Sequence, residues 1–283
     1  MYTISQLFIY PVKSLGGFEV SAAQLTDRGF QYDRRWMLVD TDNHFITQRE
    51  CPQMSLLQTA IENDLLVIYP KDDTDDRLAI SLQQETGRIC NAKVWNDECM
   101  ALYVSEIADE WLSRNLSIPC RLVYMPDKGR RKVDPAYAFN NEITNFSDAF
   151  PLLIIGQLSL DDLNNRLEQP LPINRFRPNI VFTGGAAYDE DLMEHITVNH
   201  IDLYGVKLCA RCTITTIDQT NGQKAKEPLK TFATYRMKNN KIYFGQNMLY
   251  GQTGVINVGD VIEVIKKKER FLFDGSEGNS LVA

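Results

Sequence analysis

The chain has 283 residues, 44% hydrophobic and 24% charged, which is ordinary for a soluble globular protein and long for a single core. Lys plus Arg total 30 against 37 for Asp plus Glu, so the formal net charge of −7 argues against a general nucleic-acid binder while leaving room for a local basic pocket. No run approaches the roughly 20 apolar residues that span a bilayer, and Met1-Tyr2-Thr3-Ile4-Ser5-Gln6 lacks a secretory signature, so a cytoplasmic protein with no membrane partner is expected.

Short strand-like runs dominate the first part, at residues 7–10, 35–39, 65–69 and 78–82. The charged run Lys71-Asp72-Asp73-Thr74-Asp75-Asp76 between the last two reads as a solvated hairpin loop and not a metal site. A helix is expected over 105–116, with Ser105 as N-cap. Its stripe is Ala108, Leu112 and Leu116, widened by Ile107 and Trp111. Residues 125–146 are polar and lack periodicity, so they read as a connection between domains. A second helix is expected over 159–168, with Ser159 and Asp162 resembling a capping box and Pro170 as the stop. Further strands fall at 179–183, 201–204 and 241–244, and 254–265 is broken at Gly259-Asp260. From Lys266 onward the apolar periodicity is lost and the tail reads as frayed. Many short strands with isolated helices favour barrels or sandwiches over an alternating βαβ sheet.

Four constellations could carry chemistry. The first is Cys209-Ala210-Arg211-Cys212, in a chain whose other cysteines read as buried thiols. Structural zinc needs two more ligands, yet there is no second Cys pair, and His44, His195 and His200 form no matching pair. A redox dithiol belongs at a strand-to-helix junction, whereas Thr213-Ile214-Thr215-Thr216-Ile217 is β-branched. A single thiolate for a soft metal fits a Cys beside Arg211, since a neighbouring cation favours the thiolate. Two structural thiols fit the spacing equally well. Asn174-Arg175-Phe176-Arg177-Pro178-Asn179 places two arginines before a strand, suited to an anion or to a surface salt bridge. Ile9-Tyr10-Pro11-Val12-Lys13-Ser14 ends a strand with a lysine and a hydroxyl, an anion holder or a polar turn. Asp33-Arg34-Arg35-Trp36 sets two cations at the mouth of a strand, or forms a charged turn.

Taken jointly, these motifs resemble the MOSC-domain proteins, in the branch with an N-terminal β-barrel that includes the mitochondrial amidoxime reducing component and its bacterial counterparts. Ile46-Thr47-Gln48-Arg49, Glu227-Pro228-Leu229-Lys230, Tyr235-Arg236, Phe244-Gly245-Gln246-Asn247 and Val258-Gly259-Asp260 extend the resemblance over nearly the whole chain. It implies a mainly β fold with a few helices (α+β). An N-terminal β-barrel would cover 1–124, a MOSC β-barrel 125–268 and a flexible tail 269–283. It implies a molybdenum–molybdopterin cofactor, and the family also carries an association with pyridoxal phosphate binding. Cys212 matches the cysteine that ligates molybdenum and serves catalysis, with Cys209 its neighbour. Lys13, Ser14, Arg34 and Arg177 match positions that hold the pterin and its phosphate. Asp148, Phe150, Ala210 and Asn247 match further positions lining the cofactor, and Phe150 stands where mammalian relatives carry a small polar residue. The implied activity is reduction of N-hydroxylated compounds, such as hydroxylamines and N-hydroxylated bases. No cysteine follows Cys212, so no iron–sulfur domain is expected at the C-terminus, and a separate ferredoxin- or flavodoxin-type protein would supply electrons. The alternatives are a cofactor carrier or sulfur-handling protein without turnover, and a barrel binding module without molybdenum.

Overall fold

The computed structural model describes residues 1–83 and 87–274. Its largest unit is a closed barrel of seven strands. In order around the barrel they are Leu152–Gly156, Ile180–Thr183, Tyr2–Ile9, Val261–Lys267, Met193–Val198, Ile201–Arg211 and Lys241–Tyr250, which pairs back onto the first. Closure leaves no open edge among these strands. The one parallel pair is Leu152–Gly156 with Ile180–Thr183, and the helix Gln157–Asn164 makes the crossover such a pair requires. Ile4, Leu7, Ile154, Phe182, Ile196, Leu203 and Met248 fill the interior. The first strand of the chain is thereby built into a barrel made mostly from its second half, with Thr3 opposite Thr183.

The first part of the chain supplies a half-barrel. One sheet runs Trp36–Val39, Arg121–Tyr124, Asp97–Tyr103, Ile89–Val94, and a meander runs Leu57–Glu62, Leu65–Pro70, Leu78–Ser81. Helix Glu106–Leu116 packs Ala108, Trp111, Leu112 and Leu116 into the same core as Leu66, Ile68 and Leu122. The mainly β class with few helices, and the order of two barrel-like units, are as the sequence leads one to expect.

Ser105 caps its helix as expected, its hydroxyl accepting from the Ala108 amide at 3.1 Å. Ser105→Ala should cost about 1 kcal/mol in urea unfolding, the usual loss for such a cap; an unchanged midpoint would show the cap to be idle. Ile107 does not widen the stripe. It is 75% exposed, because it lies about 100° round the helix from Ala108.

The second helix differs more. It starts at Gln157 with Gly156 as N-cap, since it follows directly from a barrel strand. Ser159 therefore lies inside the helix, donates to Glu190 Oε2 at 2.7 Å and is no cap. Asp162 pairs forward with Arg166 at 2.9 Å. The helix ends at Asn164, whose side chain holds the Leu171 amide and carbonyl, well before Pro170.

The strands expected at 201–204 and 241–244 continue to Arg211 and Tyr250, their second halves being too polar or glycine-broken to read alone. The break at Gly259 is real: Gly254–Asn257 pairs with Ala22–Thr26, whereas Val261–Lys267 joins the barrel. Strand character persists to Lys267, one residue beyond the expected start of the tail at Lys266. Phe271 then packs on Tyr243 with ring centroids 5.4 Å apart, and residues 275–283 of the expected tail lie outside the described residues. The charged run at 71–76 is not wholly solvated either. Lys71 Nζ donates to the Ser55 and Gln219 carbonyls, and Asp76 accepts from the Trp111 indole at 2.7 Å. The polar connection 125–146 contains a small two-stranded sheet, Arg131–Lys132 with Ile143–Thr144.

Candidate functional site

Where the half-barrel meets the closed barrel, one cavity is lined by Lys13, Ser14, Arg34, Asp148, Phe150, Arg177, Ala210, Cys212 and Asn247. All nine positions expected to form a site are thus brought together, although they span 235 positions of sequence (247 − 13 + 1). The cavity is narrow, about 120 Å³. It shares Asp148, Ala149, Ala210 and Cys212 with an outer groove of about 920 Å³. The inner cavity alone is smaller than the roughly 300–1,000 Å³ usual for a ligand site, whereas the outer groove falls within that range. Cys212 stands at the passage between them.

The cations of the inner cavity come from turns that follow barrel or sheet strands. Strand Tyr2–Ile9 stops at Pro11, and the chain then folds so that Lys13 is 5% exposed. Its ammonium donates to the Phe146 carbonyl at 2.8 Å and to Asp148 at 2.6 Å. Burial lowers the Lys13 pKa from its ordinary 10.5, and Arg131 and Arg34 push the same way against Asp148. The surroundings of Asp148 disfavour ionisation, but the Lys13 ammonium overrides this and holds its carboxyl well below the usual range.

Of each arginine pair in the sequence, one member reaches the cavity and the other is spent elsewhere. Arg35 turns away to the Tyr124 hydroxyl and Asp127, at 2.7 and 2.8 Å. Arg34 enters, bonded to Asp33, to Asn179 Oδ1 at 3.1 Å and to the Arg177 carbonyl. Arg175 pairs with Asp218 at 2.6 Å, whereas Arg177 enters and donates from Nη1 to the Leu15 carbonyl at 2.6 Å. Arg34 and Arg177 both lie on the ring of Tyr10, at 4.4 and 4.3 Å. Burial pushes the Tyr10 phenol up to about 12, so a neutral aromatic ring stands in contact with both cations. Burial, then Arg34, pushes Arg177 down to about 10, still protonated at neutral pH.

Two further features of the cluster bear on its chemistry. Buried Arg177 Nη2 and Arg211 Nε have no hydrogen-bond partner, in a protein interior where donors are nearly always satisfied. Ser14, Arg34 and Arg177 also hold φ values of 68°, 49° and 54°, the left-handed region that non-glycine residues rarely adopt. Such backbone strain gathers at functional sites, where the surroundings hold it in place.

The two cysteines are not equivalent. Cys209 packs with Phe176, Phe232 and Phe244, and Arg211 Nη1 donates to its sulfur at 3.1 Å. Burial raises the Cys209 pKa, with Arg211 acting against it. The cation facing Cys212 is therefore Arg49, with Nη1 4.0 Å from Sγ, and not the adjacent Arg211 suggested by the sequence. After Cys212 the β-branched run makes a single turn of 3₁₀ helix, Thr213–Thr216, which is neither the strand its composition suggests nor the α-helix of a redox dithiol. No cluster of three or more His, Cys, Asp or Glu side chains placed to hold a metal ion is found among the described residues.

Sequence reasoning singled out no role for Asn179, Thr47 or Arg49, all of which line the cavity or groove. Asn179 is 2% exposed and ties Arg34 to the Leu153 amide. Gln48, in the same motif as Thr47 and Arg49, bonds the Ser14 carbonyl at 2.7 Å and exchanges bonds with Gln219 across the two units. Their only signal was their place inside motifs shared with a family.

Residues 1–119 match the MOSC N-terminal beta barrel domain, and residues 141–263 match the MOSC domain. Mitochondrial amidoxime-reducing component 1 of Mus musculus is 32% identical over 281 residues, covering 93% of this chain and 82% of the relative. The chain belongs to the MOSC family. Mitochondrial amidoxime reducing component 2 of Homo sapiens is likewise 32% identical, over 278 residues, covering 92% of this MOSC protein and 82% of the relative. A molybdenum cofactor sulfurase of Oryza sativa subsp. japonica is 31% identical over 261 residues, covering 86% of this chain but 32% of that longer protein. No helix among the described residues is long and apolar enough to cross a membrane.

Proposed function

We propose that this protein binds a molybdenum–molybdopterin cofactor across the inner cavity and reduces N-hydroxylated compounds. The observation that carries the proposal is the convergence of Cys212 and four cationic or hydroxyl positions, Lys13, Ser14, Arg34 and Arg177, on one cavity with unspent buried donors. The donor set fits the group. A pterin phosphate offers acceptors for charge-assisted bonds from Arg34, Arg177 and Lys13, and a thiolate suits a soft metal centre. When bound, the cofactor would supply the redox chemistry, here the cleavage of a nitrogen–oxygen bond. The balanced change takes a pair of electrons and a pair of protons to convert an N-hydroxyl group to N–H and water. The electrons would come from a separate protein of ferredoxin or flavodoxin type.

The chain's own residues position and insulate. Lys13 and Arg177 hold the anion, Tyr10 keeps the two arginines aligned, and Phe150, 7% exposed against Tyr137 and Val133, keeps one wall dry. Asp148 holds the Lys13 ammonium in place. Ala210 and Asn247 come from adjacent barrel strands and line the same wall. Relatives named as amidoxime-reducing components support the reductase reading. The relative named as a cofactor sulfurase favours a second reading, a cofactor-binding protein without turnover. A cytoplasmic setting stays part of the proposal, beside relatives whose names place them in mitochondria.

Metal and pterin analysis of protein made in a molybdenum-sufficient host tests binding; protein with neither would sink both readings. Reduction of benzamidoxime with a reduced viologen as donor separates them, since a carrier would hold molybdenum and leave the substrate intact. A pH dependence also follows. The anion binds the protonated ammonium, so affinity should fall as pH rises through the Lys13 pKa of the empty site, which burial sets below 10.5. Cofactor rebinding followed by fluorescence from neutral to alkaline pH should show this loss, and Lys13→Arg should flatten it; a flat profile in both would remove Lys13 from the anion site.

A further inference from the structure

The outer groove beyond Cys212 is charged in a different way from the inner cavity. Its exposed cations come from three separate elements: Lys132 on Arg131–Lys132, Lys207 on Ile201–Arg211 and Lys241 at the start of Lys241–Tyr250. The lysines with a carboxylate partner among the described residues are Lys13, Lys93 and Lys266, none of these three. Two of the three acids of the groove are paired with cations already. Asp97 holds Arg131 at 2.8 Å, Asp148 holds Lys13 at 2.6 Å, and Asp134 accepts from the Ala136 amide in its own turn. A chain of net charge −7 thus gathers on one concavity three ammonium groups without a carboxylate ion pair among the described residues, Lys207 resting on the Tyr137 ring at 4.5 Å, against one unpaired acid, Asp134. Like charges collected in this way repel until a ligand supplies the opposite sign.

The same groove holds an exposed aromatic ring. Trp95 is 51% exposed, whereas Trp36 and Trp111 are buried at 0% and 8%. Its φ of 57° fixes it in a tight turn between strands Ile89–Val94 and Asp97–Tyr103. The Arg49 guanidinium lies on the indole at 4.4 Å and reaches Cys212 Sγ at 4.0 Å, so the ring is tied to the sulfur end of the groove.

We propose that the outer groove selects planar substrates bearing a negative charge remote from the N-hydroxyl group, with the ring against Trp95 and the charge among Lys132, Lys207 and Lys241. This rests on the reductase reading above. Lysine is a mobile point charge with no preference for one planar acceptor, so a carboxylate and a phosphonate both satisfy the site.

The test uses the molybdenum-loaded protein with a reduced viologen as donor, which removes any effect on a partner protein. Benzamidoxime is compared with its 4-carboxylate and 4-phosphonate derivatives. At low salt the anionic probes should have kcat/KM about 10-fold or more above the neutral one, mainly through KM, and salt should erase the difference. The larger gain identifies the preferred anion. In Lys132→Gln/Lys207→Gln/Lys241→Gln, at unchanged molybdenum content, the ratio should fall to near one. A parallel titration with 4-carboxybenzamide, which is not an N-hydroxyl compound, should quench tryptophan fluorescence in the parent and not in Trp95→Leu. Equal kcat/KM for neutral and anionic probes, or a ratio kept by the triple variant, overturns the proposal. If loaded protein reduces none of the probes, the reductase reading fails, and the fluorescence titration alone decides whether the groove takes anions.

Discussion

Cys212→Ala should leave the protein folded and nearly free of molybdenum, while Cys209→Ala should keep the metal and lose stability. The contrast follows from where the two sulfurs lie. Cys212 opens onto both the inner cavity and the outer groove, and its described polar neighbour is Arg49. Its thiol does little for the core, so removal costs the fold little. Both sulfurs line the inner cavity, but Cys212 alone of the pair also lines the outer groove, whereas Cys209 is packed on an aromatic cluster. Losing even an outer partner of a metal ligand costs about 10–100-fold in affinity, so losing the ligand itself should cost more than about 100-fold. Cys209 sits against Phe176, Phe232 and Phe244 and takes a bond from Arg211. Truncating it opens a small void and frees a buried donor, at about 1–2 kcal/mol. Metal analysis and urea unfolding of the two variants check both halves. Full molybdenum in Cys212→Ala, or equal loss in the two, would refute the assignment of the ligand.

Arg177→Met should lower pterin content without lowering the stability of the empty protein. The Nη1 group is spent on the Leu15 carbonyl, but Nη2 is buried with no acceptor, beside a second cation on the same Tyr10 ring. In the empty state the two guanidinium groups repel, as the lowered Arg177 pKa reflects after burial. Methionine fills similar volume and removes that repulsion. With an anion bound, the variant lacks a charge-assisted hydrogen bond of about 1.5–3 kcal/mol, or roughly 10–100-fold in affinity. Arg175→Met is the control. It breaks the pair with Asp218 and should destabilise the fold at unchanged pterin content. Equal pterin loss in the two variants would mean that the effect is structural and not due to anion binding.

The mainly β architecture was legible because strand runs and turn residues are local signals, and the break at Gly259-Asp260 was legible for the same reason. Helix caps were half legible. Ser105 caps because it precedes a free-standing helix, and Ser159 does not because its helix continues from a barrel strand through Gly156. Strands with polar second halves, such as Ile201–Arg211, escaped because their polar face lines a cavity instead of a core. Within the site, chain order and motif likeness picked out the nine cavity positions. Neither could choose which cation faces Cys212, since adjacency in sequence favoured Arg211 and the strand points its guanidinium at Cys209.

The sequence by itself determined the class of fold, the likeness to the MOSC N-terminal and MOSC domains and a set of positions that meet in one cavity, because those rest on local periodicity and on motifs whose residues lie within a few positions of one another. Only the tertiary structure decided which arginine of each pair enters the cavity, which sulfur is packed and which is open, and which lysines share a groove. Those outcomes depend on turns with left-handed backbone at Ser14, Arg34 and Arg177 and on the closure of a barrel that carries the first strand to the last. They are contacts between segments apart in the chain, in the case of Lys13 and Asp148 by more than a hundred residues, and no local pattern encodes them.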